Sequence, residues 1–176
     1  LSGSVLVTDR HSSYFNMHVA DHQICLAHIL RELTFLTELD TKQKWSSELA
    51  TQIREAIHKI KTESWESIDR NSILNKFQIL LTTCTDNLHQ KIIALIKSLT
   101  KYKEYVFKFL FDPEVPYENN ASERAVRNLK VKQKVSGMFK SHAGADAYCQ
   151  IHSISHTARK NNQNPFLAIL AVAINY

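Results

Sequence analysis

The helix-compatible stretch over residues 41–110 most constrains the fold, because almost nothing in it would interrupt a helix. The chain of 176 residues has only three Gly and three Pro, whereas β-sandwiches and barrels need many turn residues. The pattern predicts an antiparallel, all-helical insertion over residues 38–110. It consists of three apolar stripes at helical spacing: Leu49, Ile53, Ile57 and Ile60; Ile73, Phe77, Leu80, Leu81 and Cys84; and Leu88, Ile92, Leu95, Leu99, Tyr102, Val106 and Phe109.

Two short segments before this stretch are predicted to form strands. Residues 4–8 are apolar and rich in β-branched side chains, which is typical of a buried strand, and residues 22–26 read as a second short strand. The second strand is expected to lead into a helix from Ile29, and the apolar face of that helix comprises Leu30, Leu33, Phe35 or Leu36, and Leu39. Together these patterns predict a helix-rich α/β fold.

Asp9 comes where the first predicted strand ends. In open α/β sheets, ligands bind at the carboxyl ends of the strands, so an acid there is a candidate for a functional site. The alternative is that Asp9 caps the turn formed by residues 11–15. The residues alone leave both interpretations open.

Residues 117–127 read as a turn that begins a helix, with Glu123 in its first turn. Exposed backbone N–H groups favour a negative charge there, and a carboxylate at the head of a basic segment suits a divalent metal beside a phosphate backbone. The structural alternative is a capping box, Asn120-x-x-Glu123, supported by a surface pair between Glu123 and Arg127.

The charge balance of the chain changes at Glu123. Residues 124–176 carry 8 Lys and Arg against one acid, a net charge of +7, whereas residues 1–123 carry 14 against 16, a net charge of −2. A run of one sign with apolar residues interleaved favours contact with phosphates over a solvated mixed surface. The predicted DNA-binding residues are Arg124, Arg127, Lys130, Lys132, Lys134 and Lys140.

The three cysteines form no short-range framework, which indicates a reducing cytoplasm. Cys25-x-x-His28 is half of a zinc-ligand pattern, and Cys149-x-x-His152, with His156 one turn further on, could complete it. The alternative is that the thiol and the imidazoles pack as ordinary side chains. No signal peptide or membrane-length apolar run is present, and residues 166–174 read as a short core helix.

At both ends the chain resembles the insertion-sequence sixty-six type bacterial transposases. The resemblance is carried by residues 118–127, by Lys132-Gln133-Lys134, by Phe139-Lys140-Ser141 and by Gly144-Ala145. It continues at Ser153, in residues 157–161 and at Asn164-Pro165, and near the start in residues 8–14 and 25–31. The helical middle is generic.

This resemblance implies a DDE recombinase with a ribonuclease-H-like core, in which three carboxylates bind two Mg²⁺ ions. Asp9 would be the second acid and Glu123 the third, with Arg124, Arg127 and Lys134 beside the DNA phosphates. Residues 1–37 would belong to the core, residues 38–110 to the insertion, and residues 111–176 to the return of the core. The full-length enzyme would be a homo-oligomer that acts on insertion-sequence ends and target DNA in the bacterial cytoplasm, at the nucleoid.

Two departures from the family pattern qualify these expectations. The first acid, expected on an upstream strand, has no counterpart in the sequence, so we expect the chain alone not to cut or join DNA. Glu118 stands where an Asp is common in the family. The alternative function, from another class, is a non-catalytic DNA-binding or assembly module derived from a transposase.

Overall fold

Two short parallel strands lie at the start of the chain, β1 (Val5–Thr8) and β2 (Asp21–Ile24). In the computed structural model, which describes residues 3–83 and 88–174, Val5 pairs with Asp21 and Thr8 with Ile24. The two predicted strands are therefore confirmed, within one or two residues at their ends. β2 becomes fully buried towards its carboxyl end, where Ile24 is inaccessible to solvent.

Four helices follow: α1 (Leu26–Leu39), α2 (Trp45–Thr62), α3 (Arg70–Thr82) and α4 (Gln90–Lys101). Each packs against the next, α1 on α2, α2 on α3 and α3 on α4. The apolar stripes predicted from the sequence supply the core between them, because spacings of three and four residues place side chains on one helix face. Its fully buried members include Leu33, Leu49, Ile53, Ile92, Leu95 and Leu99.

The structure corrects three details of this region. Helix α1 begins at Leu26 rather than Ile29, and it buries Leu36 while Phe35 and Leu39 are exposed. The third stripe is not one long helix, since α4 ends at Lys101 and two short 3₁₀ turns follow, Lys103–Tyr105 and Lys108–Leu110. Cys84, the last member of the second stripe, lies outside the described residues.

A buried amide side chain explains why the chain leaves the helical path after α4. Gln23 of β2 is inaccessible to solvent and donates hydrogen bonds to the carbonyl oxygens of Ile24, at 2.6 Å, and Val106, at 2.9 Å. Its Oε1 accepts the backbone N–H of Phe109 at 3.0 Å. Val106 and Phe109 therefore enter the core, as their apolar character predicts, in turns that the Gln23 side chain holds against the sheet.

The chain divides into two compact units, Leu1–Asn119 and Asn120–Tyr176. The second unit contains α5 (Asn120–Ser136), α6 (His142–Lys160) and α7 (Pro165–Ile174). Gly137 follows α5 with φ +74°, a conformation that favours glycine, which confirms that it interrupts the helical pattern. Helix α6 begins with the Ser141 hydroxyl accepting the N–H of Gly144 at 3.1 Å and packs against α7.

The expectation of a core helix near the end of the chain is wrong for the described part. Phe166, Leu167 and Ile174 of α7 are 70%, 59% and 72% exposed. An apolar composition shows that a helix can be buried, but burial also requires a surface that covers it. Among the described helices, none has the length and apolar character needed to cross a membrane.

The Gln23 clamp makes a testable contribution to stability. Replacing Gln23 by Leu removes its hydrogen bonds and leaves the buried Val106 carbonyl and Phe109 N–H without these partners. We expect the free energy of unfolding to fall by about 2–4 kcal/mol, because each buried polar group left unsatisfied costs about 1–3 kcal/mol. Chemical denaturation followed by circular dichroism measures the change.

The matched control is Gln90→Leu, the same substitution at an exposed position at the start of α4. It should change the free energy of unfolding by no more than about 0.5 kcal/mol. Equal effects of the two substitutions would contradict the role assigned to Gln23.

Candidate functional site

The carboxyl edge of the two-stranded sheet brings together the residues that follow β1 and β2. Because the strands are parallel, both end at this edge, and the N–H of Cys25 donates to the carbonyl oxygen of Thr8 at 2.7 Å. Asp9 is half-buried directly after β1, and its Oδ1 accepts the N–H of His11 at 3.0 Å. The capping role anticipated for Asp9 is therefore present, and it orients the carboxylate at the edge.

Cys25 connects this edge to the segment that precedes α5. The residue is fully buried at the start of α1, and its Sγ accepts the backbone N–H of Asn119 at 3.2 Å. The N–H of Leu26 donates to the carbonyl oxygen of Tyr117 at 2.8 Å. Two hydrogen bonds thus hold residues 117–119 at the carboxyl edge of the sheet. His28 is half-buried in the first turn of α1, and zinc binding by Cys25 and His28 stays a prediction.

A cationic side chain of α2, Lys61, lies beside Tyr117 of this segment. The ammonium of Lys61 lies 5.2 Å from the centre of the Tyr117 ring. The pKa of Lys61 is raised above its ordinary value of 10.5. The main causes are a hydrogen bond with Tyr117 and the charge of Tyr117, and the charge of Glu118 contributes less. The raised pKa favours the charged form of Lys61 beside residues 117 and 118.

Arg10 fixes the loop that carries Asp9 to two helices. Its guanidinium forms an ion pair with Glu32 of α1 and donates to the hydroxyl of Ser98 in α4 at 2.7 Å. Only 15% of the Arg10 side chain is exposed, compared with 39% of Glu32. Nothing in the sequence indicates this role, because the two partners are 22 and 88 residues away and no local pattern joins them.

Helix α5 carries the predicted third acid and most of the predicted DNA-binding residues. Glu123 is half-buried in its first turn, and Arg127, Lys130 and Lys134 follow at spacings that place all four on one side of the helix. All six basic residues predicted to bind DNA lie in the second unit, either on α5 or in the turn that follows it. Lys132 projects from the other side of α5, since residues two apart do not share a helix face, and Lys140 lies beyond the end of the helix.

The start of α5 does not coincide with the capping box anticipated at Asn120. Helix α5 begins at Asn120, so this residue occupies the first helical position and does not precede the helix. Glu123 is the acidic residue of the first turn, as expected. Its negative charge is therefore placed where the N–H groups at the start of a helix favour an anion.

The family model described as "Transposase IS66 family" matches residues 1–147. The chain belongs to the IS66 family of transposases. The match includes Asp9, Cys25, His28, Glu123 and the six basic residues, and it confirms the resemblance found in the sequence. No curated protein and no solved structure shows a significant match to the chain.

Membership of the IS66 family identifies the chain as transposase-derived and DNA as the substrate class. The family match does not assign roles to individual side chains, so the catalytic roles of Asp9 and Glu123 stay predictions. What the first unit provides is an acid at the carboxyl edge of a parallel sheet and a backbone segment, residues 117–119, that hydrogen bonds hold at the same edge.

The ion pair between Arg10 and Glu32 yields a stability prediction through a double-mutant cycle with Arg10→Met and Glu32→Gln. We expect a coupling energy of about 1 kcal/mol or more, because the guanidinium is largely desolvated and hydrogen-bonded to two helices. Denaturation of the four proteins of the cycle gives this value.

The exposed pair between Lys59 and Glu63, 3.3 Å apart at the end of α2, is the matched control. A cycle with Lys59→Met and Glu63→Gln should give about 0.3–0.5 kcal/mol, the usual contribution of a surface pair four residues apart in a helix. A coupling no larger at Arg10 than at Lys59 would show that the Arg10 side chain does not hold the loop.

Proposed function

We propose that this chain carries two of the three metal-binding carboxylates of a DDE transposase, Asp9 and Glu123, within a ribonuclease-H-like core. The observation that carries the proposal is the attachment of Asn119 to Cys25 at the carboxyl edge where Asp9 lies. Membership of a transposase family supports this proposal, and the reaction that we propose is metal-dependent phosphodiester cleavage and strand transfer.

A short length of chain separates Glu123 from the segment that is held at this edge. Only residues 120–122 separate Asn119 from Glu123 in the sequence. Four Cα–Cα steps span at most about 15 Å even in a fully extended backbone. Glu123, which is 114 positions from Asp9 in the sequence, thus follows within a few residues a segment that is hydrogen-bonded to the fully buried Cys25.

The side chains suit magnesium, which prefers oxygen ligands. Asp9 is held by one N–H donor, from His11, while an ionised carboxylate offers about four lone-pair sites. This hydrogen bond therefore orients Asp9 and leaves it capacity to bind a cation. Two bound Mg²⁺ ions would activate the attacking oxygen and stabilise the leaving oxygen of an in-line phosphodiester displacement.

The basic residues of α5 would bind the substrate backbone beside Glu123. Arg127, Lys130 and Lys134 share the side of the helix that carries Glu123. Their charges attract phosphates at any DNA sequence, which positions DNA without reading its bases. The same attraction would associate the protein with the bacterial nucleoid. We also propose that the full-length enzyme is a homo-oligomer, as transposition joins two ends of an insertion sequence to target DNA.

The alternative is a DNA-binding or assembly module in which both acids have structural roles. The hydrogen bond from His11 to Asp9 favours it, since a turn cap needs no metal. Both proposals require DNA to bind at α5, so DNA affinity does not separate them. Only the catalytic proposal requires Asp9 and Glu123 to share a metal site.

Metal binding by variants of the whole chain tests this sharing. Mn²⁺, which replaces Mg²⁺ and is detected by electron paramagnetic resonance, should bind the wild-type chain, and Asp9→Asn and Glu123→Gln should each weaken binding about tenfold, or about 1.4 kcal/mol. Because ligands of one site do not act independently, the double variant should bind hardly more weakly than the weaker single variant.

The matched control is Asp146→Asn, which removes one negative charge from an exposed position on α6 and should leave Mn²⁺ binding unchanged. If the effects of Asp9→Asn and Glu123→Gln simply add, or if neither exceeds that of the control, the two acids do not share a site. DNA binding that survives such a result would identify the alternative module.

The contribution of α5 to DNA binding is measured by its salt dependence. Removing one cation that binds a phosphate should reduce the slope of log K against log salt by about 0.9, so Lys130→Gln with Lys134→Gln should reduce it by about 1.8. Fluorescence anisotropy with an arbitrary duplex at several NaCl concentrations gives the slope.

Lys42→Gln, at an exposed position between α1 and α2, is the control for this measurement and should leave the slope unchanged. Equal slopes for Lys42→Gln and for the double variant of α5 would rule out the α5 surface as the site where DNA binds.

A further inference from the structure

Helix α4 carries a second group of cations, which the proposed function does not use. Lys91, Lys97 and Lys101 are exposed, and the helix contains no acidic residue. Residues 88–103 hold four Lys and no Asp or Glu, a net charge of +4, although residues 1–123 as a whole have a net charge of −2. The exposed side of α4 is therefore a basic surface on an otherwise slightly acidic part of the chain.

Lys97 and Lys101 lie on the side of α4 that faces away from the core. They are four residues apart, so their side chains are neighbours along the helix. Leu95 and Leu99, which are 1% and 0% exposed, lie on the other side, because residues two apart do not share a helix face. The two lysines thus form one exposed basic face.

The stability of the helix does not account for these lysines. A cation in the last turn, such as Lys101, interacts favourably with the helix dipole, whereas a cation in the first turn, such as Lys91, interacts unfavourably. Lys97 lies in neither turn. Among residues 3–83 and 88–174, none of the three forms an ion pair. Their charges are therefore available to an external anion.

The basic face borders the loop that carries Asp9. Arg10 of this loop donates to the hydroxyl of Ser98 at 2.7 Å. Ser98 follows Lys97 directly and precedes Lys101 by three residues, a spacing that makes Ser98 and Lys101 neighbours on the helix. The hydrogen bond from Arg10 therefore places the start of the loop beside the lysines.

An aromatic contact fixes the same loop a second time. The ring of Phe15 stacks on that of Tyr102, the residue after α4, with their centres 4.0 Å apart. The ammonium of Lys101 lies 4.9 Å from the centre of the Tyr102 ring. A cation near an aromatic ring is attracted to it without being neutralised. Lys101 is thus oriented beside the loop and retains its charge.

We propose that the basic face formed by Lys97 and Lys101 binds the phosphate backbone of DNA beside the Asp9 loop. Four residues of a helix rise by about 6 Å, whereas each strand of a DNA duplex carries a phosphate about every 3.4 Å along its axis. A duplex that runs along α4 therefore offers a phosphate to each lysine. Ammonium groups bind phosphates beside any base, so this contact positions DNA without reading its sequence.

This inference rests on the proposed function only for the identity of the partner, DNA. The basic residues proposed above belong to the second unit, whereas Lys97 and Lys101 belong to the first. The inference does not require Asp9 and Glu123 to share a metal. It adds a surface on which the first unit itself contacts the substrate.

The salt dependence of DNA binding by the whole chain tests the α4 surface. Lys97→Gln with Lys101→Gln should reduce the slope of log K against log salt by about 1.8, because each lost phosphate contact removes about 0.9. Fluorescence anisotropy with an arbitrary duplex gives the slope, and circular dichroism confirms that the variant is folded.

The matched control is Lys42→Gln with Lys44→Gln, which removes the same charge from two exposed positions between α1 and α2. It should leave the slope unchanged. Equal slopes for the two double variants would overturn the inference. An unchanged slope for the α4 variant, with a reduced slope for the α5 variant, would overturn this inference and leave the proposed function intact. A reduced slope for the α4 variant, without shared Mn²⁺ binding, would uphold this inference alone.

Acetylation of the unmodified protein provides a readout that does not depend on the folding of a variant. Brief treatment with acetic anhydride, followed by mass spectrometry, measures the reactivity of each lysine with and without saturating duplex. DNA should protect Lys97 and Lys101 and leave Lys42 and Lys44 as reactive as before. Absence of protection at Lys97 and Lys101, or equal protection of all four lysines, would overturn the inference.

Discussion

The hydrogen bond from the N–H of Cys25 to the carbonyl oxygen of Thr8 is the interaction on which the candidate site depends. It continues the pairing of two strands of four residues each beyond their ends and fixes where the chain enters α1. Asp9 follows the end of β1 at this point, and the Sγ of Cys25 accepts a hydrogen bond from the N–H of Asn119 there. One buried residue therefore sets the relation between the loop after β1 and the segment before α5.

A sheet of two strands offers little pairing of its own, and the helices around it supply most of the rigidity. Gln23 connects the two systems, because its amide satisfies the backbone of residues 106 and 109 while its own backbone lies in β2. Arg10 does the same for the Asp9 loop, with partners in α1 and α4. Long polar side chains, each with several partners, hold the loops at the edge of the sheet.

The second unit has a different organisation, with little buried surface and two distinct faces on one helix. One side of α5 carries Glu123 and three cations, and another contributes aliphatic side chains to the groove shared with α6. Such a helix can bind a polyanion without disturbing its own packing, since the charges and the apolar side chains occupy different faces. The exposed apolar residues of α7 belong to the same unit.

The sequence by itself determined the two strands, the helical stripes, the end of α5 at Gly137 and the transposase family, because these follow from local spacing and contiguous motifs. It could not show that α4 ends at Lys101, that Arg10 binds Glu32, or that Asn119 donates to Cys25. The last two are decided by partners 22 and 94 residues away. The periodicity of a sequence shows which face of a helix or strand is apolar. Which segment packs against that face is decided only when distant parts of the chain come together.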